Sequence, residues 1–381
     1  MEVGKRKLLF FCSKLEGGGA EKHLVRVLNK TDFQKFEIHL ALSRSGGAYE
    51  VELDDRVIKH YLTSSSSSTA SLFKSYFPLK KLIGGLSPDL VISMLDRQNI
   101  ILSLLKKNSR SFPKTILCCQ NAVSKSLEDS GIIGKVFRRS VPKLYNRNTA
   151  IVALSEGVKE ELQEDFSIRI PVKVIYNAGF DEQIEELASQ PSAIPAYSDE
   201  VTYLVAAGRF TRQKGFDVLI RSLSLIESTT PYHLLLLGTG ADKEALKDLA
   251  KEVGVLDKIS FMGFQKNPYP YFKAAKIFVL SSRWEGFGNV ITEAMRCKCA
   301  VVSTDCNFGP GEIISHGTNG LLVPVEDERL LALNISSLIN DNSKRQKLAE
   351  AGYKRASEYL PEKISGFYYN YFNEVINQVK Q

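Results

Sequence analysis

The sequence predicts an α/β protein built from two doubly wound, Rossmann-type domains in tandem. Short runs of strand-forming residues alternate with longer polar or amphipathic runs along the whole chain. Several strand runs are apolar on both faces, as strands of a parallel sheet covered by helices on each side must be. The same alternation repeats in the second half. A length of 381 residues is sufficient for two such domains, each with its own core.

In the first half the candidate strands are Leu8–Ser13, Glu37–Leu42, Val57–Tyr61, Leu90–Ser93, Thr115–Cys119, Ala150–Leu154 and Val172–Tyr176. In the second half they are Thr202–Ala207, His233–Leu237, Lys258–Phe261, Ile277–Leu280, Ala300–Ser303 and Leu321–Val323. Helical runs lie between them, and Ala20–Leu28 and Val290–Arg296 begin directly after glycine-rich turns. From about Asn177 to Glu200 the chain is rich in acidic residues, Ser and Pro, which predicts an exposed crossing between domains. The expected organisation is a first domain over 1–176, a second over 177–363, and a terminal helix over 364–381. In that helix Tyr368, Tyr371, Phe372 and Val375 fall close to one face, so it is expected to pack back on the body. The low-complexity run Ser64–Ser68 is expected to be a mobile loop.

Apolar content of 44% and charged content of 24% are ordinary for a soluble globular protein. No apolar stretch approaches a membrane span, and the charged run Met1–Lys7 leads straight into a strand, so no signal peptide is expected. Six cysteines show neither metal-ligand spacing nor a disulfide framework, and reduced, buried thiols in a cytoplasmic protein are expected. The net charge of +7 is uneven: 28 Lys and Arg face 18 Asp and Glu before residue 177, against 22 and 25 after it. A basic first half calls for an anionic partner. Nucleic acid is not expected, because no DNA- or RNA-reading motif appears and aromatics are not interleaved with the charges.

The most informative segment runs from Glu285 to Glu293, E-G-F-G-N-V-I-T-E. A strand precedes it and a helix follows. That geometry gathers exposed backbone N–H groups and a helix dipole at one point, where an anion is attracted. Gly286 and Gly288 let a ligand approach the main chain. The plain alternative is a surface turn with two solvated glutamates. Arg209 and Lys214, at the end of the second half's first strand, suit a diphosphate: the guanidinium makes two bonds and the ammonium adds a point charge. Simple solvation is their alternative. Gly238-Thr239-Gly240 ends the next strand but lacks the Lys and Ser/Thr of a P-loop. Gly17-Gly18-Gly19 stands where a dinucleotide loop would, yet the third glycine of that fingerprint and its acidic partner are missing, so NAD is not supported. No Asp-x-Asp pair or ligand cluster is present, and neither metal nor cofactor is expected. His23 and His316 receive no role.

Taken together, these segments resemble the retaining glycosyltransferases of family four, which have the GT-B fold of two Rossmann-like domains facing a cleft. The matching stretches are Gly17–Glu21, A-A-G-R-F-T-R-Q-K-G (Ala206–Gly215), L-L-L-G-T-G (Leu235–Gly240), F-M-G-F (Phe261–Phe264), S-S-R-W-E-G-F-G-N-V-I-T-E-A-M (Ser281–Met295) and N-G-L-L-V (Asn319–Val323). In the first half, A-L-S-E-G-V-K (Ala153–Lys159) and V-I-Y-N-A-G-F-D (Val174–Asp181) also match. The resemblance implies that a nucleotide-sugar donor binds mainly to the second domain. Arg209 and Lys214 would hold its diphosphate, with Glu293 on the ribose hydroxyls and Glu285 at the transferred sugar. Backbone N–H groups of Phe287, Gly288, Asn289 and Val290 would cradle phosphate, Gly263 and Phe264 would border the base, and Gly238 would line the site. Gly17 and Gly18 would approach the phosphates from the first domain. A family histidine near the transferred sugar is replaced here by Cys118-Cys119-Gln120-Asn121, with Gln120 or Asn121 as the substitute. Phe308–Glu312 resembles a loop variant found in bacterial surface-polysaccharide enzymes.

The implied activity is metal-independent, retaining transfer of a hexose or N-acetylhexosamine, UDP-linked by family habit, to a saccharide acceptor. Basic and apolar residues mix at helical spacing in Leu72–Phe77 with Lys80 and Lys81, and in Lys135–Arg139 with Lys143, Leu144, Tyr145 and Arg147. Such stretches fit an interfacial helix on anionic lipid, and equally an amphipathic helix packed on its own domain with solvated lysines; the basic first half favours the former. A lipid-linked acceptor and a peripheral place at the inner face of the plasma membrane are therefore expected. The rival readings are a nucleotide-sugar epimerase of the same fold, an oxidoreductase, and a non-catalytic nucleotide-sugar-binding protein.

Overall fold

The computed structural model describes residues 4–16, 18–63, 74–106, 111–128, 131–191, 194 and 198–378. The chain divides into two compact units, one of residues 1–178 with 361–381, the other of 179–360. Gly17, the serine run, Leu72 and Phe73 lie outside the described residues.

The first unit holds a seven-stranded parallel sheet of β1 (Arg6–Cys12), β2 (Phe36–Leu42), β3 (Ile58–Tyr61), β4 (Leu90–Met94), β5 (Lys114–Cys119), β6 (Ala150–Ala153) and β7 (Val172–Val174). Its order is β3-β2-β1-β4-β5-β6-β7. The second unit holds a six-stranded parallel sheet of β8 (Thr202–Ala207), β9 (Tyr232–Leu237), β10 (Ile259–Gly263), β11 (Ile277–Leu280), β12 (Ala300–Thr304) and β13 (Leu321–Val323), ordered β10-β9-β8-β11-β12-β13. In both sheets the order reverses beside the first strand, so the chain leaves adjacent carboxyl ends toward opposite edges and opens a crevice there. β1, β4 and β12 are almost wholly buried, as the two-faced apolar runs require.

Thirteen strands were expected, and thirteen form within one or two residues of their expected ends, with β7 two residues shorter. The boundaries between units differ slightly from 176 and 363. The chain crosses at Ala178–Gly179 and returns at Leu360–Pro361, where the helix Pro361–Asn377 begins. That helix belongs to the first unit. Phe372 meets Phe10 edge-on at 5.9 Å between ring centres, and Tyr369 lies 5.1 Å from Phe36. Lys114 Nζ donates to the Val375 and Ile376 carbonyls at 2.9 Å each, satisfying the helix's last acceptors.

The expectation of an exposed crossing from Asn177 needs correction. Asn177, Ala178, Phe180, Ile184 and Ala188 are all buried, and Ile184–Ala188 is a helix. The apolar residues at 178, 180, 184 and 188 give this stretch a face to bury, which outweighs its acidic composition. In the first unit the Ala178 N–H donates to His23 Nδ1 at 2.9 Å and its carbonyl accepts from Arg26 at 2.9 Å. In the second, Gly179 sits so close to the helix Asn289–Arg296 that a Cβ would lie 2.2 Å from Thr292 Oγ1.

Candidate active site

In the second unit, the sequence-predicted residues converge at the carboxyl ends of β8 to β11. Gly208 follows β8, and the 3-10 turn Arg212–Lys214 leads to Gly215, which has φ +59° and begins the helix Phe216–Leu223. A Cβ on Gly215 would stand 2.0 Å from the Ser281 carbonyl, so the loop after β8 touches the loop after β11 backbone to backbone. Hydrogen bonds also join the same loops. Ser281 Oγ donates to the Lys214 carbonyl at 2.9 Å, the Arg283 N–H to the Gln213 carbonyl at 2.8 Å, and Gln213 Nε2 to the Trp284 carbonyl at 3.0 Å.

These contacts bring Lys214 Nζ to 2.6 Å from Glu285 Oε1, and both side chains are largely buried. The same carboxylate oxygen accepts from Ser282 Oγ at 2.6 Å. Two residues assigned to different parts of a donor are therefore partners of each other. The Lys214 stem lies over Gly208, where a Cβ would come within 3.2 Å of it. Arg209, beside them, is exposed.

Arg283 escaped sequence reasoning, since an arginine in a strand-end loop is usually solvated. Here it is half-buried and donates to Asp217 with both Nη atoms, at 2.9 and 2.8 Å, to Glu326 with Nη2 at 3.0 Å, and to the Arg212 carbonyl at 2.7 Å. Hydrogen bonds to the two carboxylates raise its pKa further, so it is permanently charged. Burial works against the Asp217 carboxylate, but the Arg283 bonds leave it below its usual range. Arg283 thus holds the turn carrying Lys214 against the turn carrying Glu285.

Beyond Glu285 the chain passes Gly286 to Phe287, whose buried ring meets Tyr359 edge-on at 5.3 Å. Gly288, at φ +87°, starts the helix Asn289–Arg296, and Asn289 and Val290 form its half-buried first turn. Gly309, at φ +108°, packs over this turn, where a Cβ would meet the Phe287 carbonyl at 2.2 Å. Glu293 lies one turn along the helix, half-buried, with Tyr269 Oη donating to it at 3.4 Å and to Asp181 at 2.9 Å. On the other flank, the Gly238 N–H donates to the Gly263 carbonyl at 2.8 Å. Gly263 has φ +70°, and Phe264 next to it is 76% exposed. The result is a floor of backbone amides, a buried Lys–Glu pair, an exposed guanidinium and an exposed aromatic ring. That combination suits an anion joined to a flat apolar group.

In the first unit, Gly18 caps the helix Gly19–Asn29, and its own N–H is taken by Glu21 Oε2 at 2.8 Å. The carboxylate already occupies part of the anion-attracting end of that helix. Asn121 follows β5 and accepts from the Ala122 N–H at 3.0 Å, and Gln120 before it is buried. Asp96 follows β4, and burial pushes its carboxyl up to about 6. The six cysteines are all buried and unpaired.

The model for group 1 glycosyl transferases matches residues 192–355, and the glycosyltransferase family 4 model matches residues 17–179. A Campylobacter jejuni protein is 28% identical over 94% of this chain and 97% of its own length. It is named N-acetylgalactosamine-N,N'-diacetylbacillosaminyl-diphospho-undecaprenol 4-alpha-N-acetylgalactosaminyltransferase. The lipopolysaccharide core biosynthesis glycosyltransferase LpsE of Rhizobium meliloti is 32% identical over 59% of this chain and 64% of its own. Among solved structures, Anabaena HepE in complex with UDP and glucose superposes with a TM-score of 0.79 at 21% identity, covering 97% of this chain and all of that one. With the doubly wound sheets and the glutamate-flanked turn, these matches show that the chain belongs to the family-four glycosyltransferases of GT-B fold.

Proposed function

We propose that this glycosyltransferase transfers a hexose or N-acetylhexosamine from a nucleoside diphosphate sugar, UDP-linked, with retention at the anomeric carbon. The acceptor is a lipid-linked saccharide, in the assembly of a cell-surface polysaccharide or glycan. The carrying observation is the Lys214–Glu285 pair, buried beside Arg209 at the start of the helix Asn289–Arg296. The names of the Campylobacter and Rhizobium relatives support the acceptor class, and the UDP of the HepE complex supports the carrier.

The chemical problem is departure of the diphosphate. As the C1–O bond breaks, its electron pair passes to the leaving phosphoryl oxygen while the ring carbon gains positive charge. Arg209, the Lys214 ammonium and the helix amides after Gly288 stabilise that oxygen without a metal ion. Glu285 then contacts the transferred sugar and keeps Lys214 aimed. The acceptor hydroxyl attacks on the face the diphosphate leaves and passes its proton to the departing phosphoryl oxygen, so configuration is kept. Glu293 receives the ribose hydroxyls, Phe264 borders the base and Gly238 lines the same side.

The test is a panel of nucleotide sugars assayed by thermal shift and by slow donor hydrolysis. One UDP-sugar should raise Tm and release UDP slowly with net retention in the transferred product. Binding without hydrolysis or transfer to any saccharide would overturn the catalytic reading in favour of a binding protein. Isomerisation of the donor without acceptor would reveal an epimerase.

A further inference from the structure

The second unit is slightly acidic overall, yet five cationic side chains gather around one cavity of about 500 Å3. Lys273, Lys276, Arg296, Lys298 and Arg345 line it, with Tyr353 as its aromatic wall. It lies at the amino end of β11, whereas the candidate active site lies at that strand's carboxyl end. The helix Asn289–Arg296 runs from one to the other, a rise of roughly 12 Å for eight residues.

Three carboxylates stand close by, and all are engaged: Asp341 accepts from the Lys344 N–H and attracts Arg345 from beyond ion-pair distance. Glu185 pairs with Arg296 at 2.7 Å and Glu350 with Lys298 at 3.0 Å. That leaves Lys273, Lys276 and Arg345 without an ion pair among the described residues. Lys273 donates to Ser189 Oγ at 3.0 Å, and Arg345 reaches only the Leu338 and Ile339 carbonyls and Asn342. The Arg296 guanidinium is held between the Phe180 and Tyr353 rings, at 5.7 and 4.4 Å, and its buried Nε has no partner among the described residues. Lys298 adopts φ +61°, a left-handed conformation that a glycine would take without strain.

Offsetting helix dipoles explains part of this arrangement, since Arg345 caps the end of the helix Glu328–Asn340. It does not explain why the unpaired lysines surround a space of ligand size. We propose that this cavity is a second anion site, separate from the donor site, which takes a phosphorylated sugar. The lysines and Arg345 meet the phosphoryl oxygens, and Tyr353 packs against the sugar ring.

Calorimetric titration of the full chain with a hexose 6-phosphate and with inorganic pyrophosphate tests this. The Arg209→Ala/Lys214→Ala double variant serves as background, so that phosphate held at the donor loops does not contribute. Binding should persist in that background and weaken at least tenfold when Lys273→Ala and Lys276→Ala are added. Both lysines are exposed, so Tm should not move, and with the donor loops intact the pair should leave basal transfer unchanged. Absence of binding by either probe in the background, or equal affinity with and without the lysines, would overturn the proposal whatever the donor site proves to bind.

Discussion

Lys214 and Glu285 show how two largely sheltered charges sustain each other. Removing either leaves the other largely buried and unpaired, a situation that costs roughly 3 kcal/mol when no water reaches the orphan. Arg209→Ala and Lys214→Ala should each lower kcat by about two orders of magnitude, the usual loss when one donor to a developing anion is removed. Glu293→Ala should chiefly raise the donor KM, since ribose contacts act alike in ground and transition states. Steady-state kinetics giving unchanged values in all three would falsify these roles. His23 is a second residue whose task emerges from its partners. Buried against Ala178 and Tyr368, it has its pKa pulled down to about 3, by burial first and then by Arg26. The folded state therefore binds fewer protons than the unfolded one between pH 6.5 and 3. Stability is full above 6.5 and falls on acidification through this window, by about 1.4 kcal/mol per pH unit from this group alone. Urea unfolding of His23→Gln should show a shallower pH dependence there than the wild type.

At the scale of elements, the turns matter more than the strands that feed them. Gly215 and Gly263 both have positive φ, but their surroundings differ. Gly215 faces the Ser281 carbonyl, while nothing lies within 4 Å of a Cβ on Gly263. Gly263→Ala should cost about 1 kcal/mol, the ordinary left-handed penalty. Gly215→Ala must also push apart the turns bearing Lys214 and Glu285, so thermal melts should show the larger loss and kcat should collapse with it. The strands themselves were readable, because burial on both faces leaves a continuous apolar run. The glycine-flanked glutamates were readable because strand, turn and helix follow one another without interruption. Arg283 was not, since its three carbonyl and carboxylate partners come from residues 212, 217 and 326, and only folding assembles them. The burial of Ala178, Phe180 and Ile184 was hidden in the same way, behind the acidic composition of their neighbours.

For the whole molecule, two expectations concern surfaces rather than sites. The helix Tyr76–Leu86 presents Phe77, 75% exposed, beside exposed Lys74, Lys80 and Lys81. Arg138, Arg139 and Lys143 are exposed on the helix Gly131–Tyr145. No helix among the described residues is long and apolar enough to cross a membrane, so any lipid contact through them is interfacial. Co-sedimentation with vesicles should rise with anionic lipid and fall with salt, and Phe77→Ser/Lys80→Glu/Lys81→Glu should lose most of it. Equal binding to neutral vesicles would count against this. Deleting residues 361–381 should uncover Phe10 and Phe36 and give an aggregating chain, readable by light scattering, because that helix completes the first unit's core.

The order of strands and helices, the doubled Rossmann pattern and the glutamate-flanked glycine turn were determined by local sequence, through apolar periodicity and glycine placement. The pairing of Lys214 with Glu285, the clamp of Arg283, the neutral histidine at Ala178 and the cationic cavity beneath β11 were decided only by tertiary structure. Each depends on residues far apart in the chain whose charges acquire meaning from the low-dielectric neighbours that folding supplies.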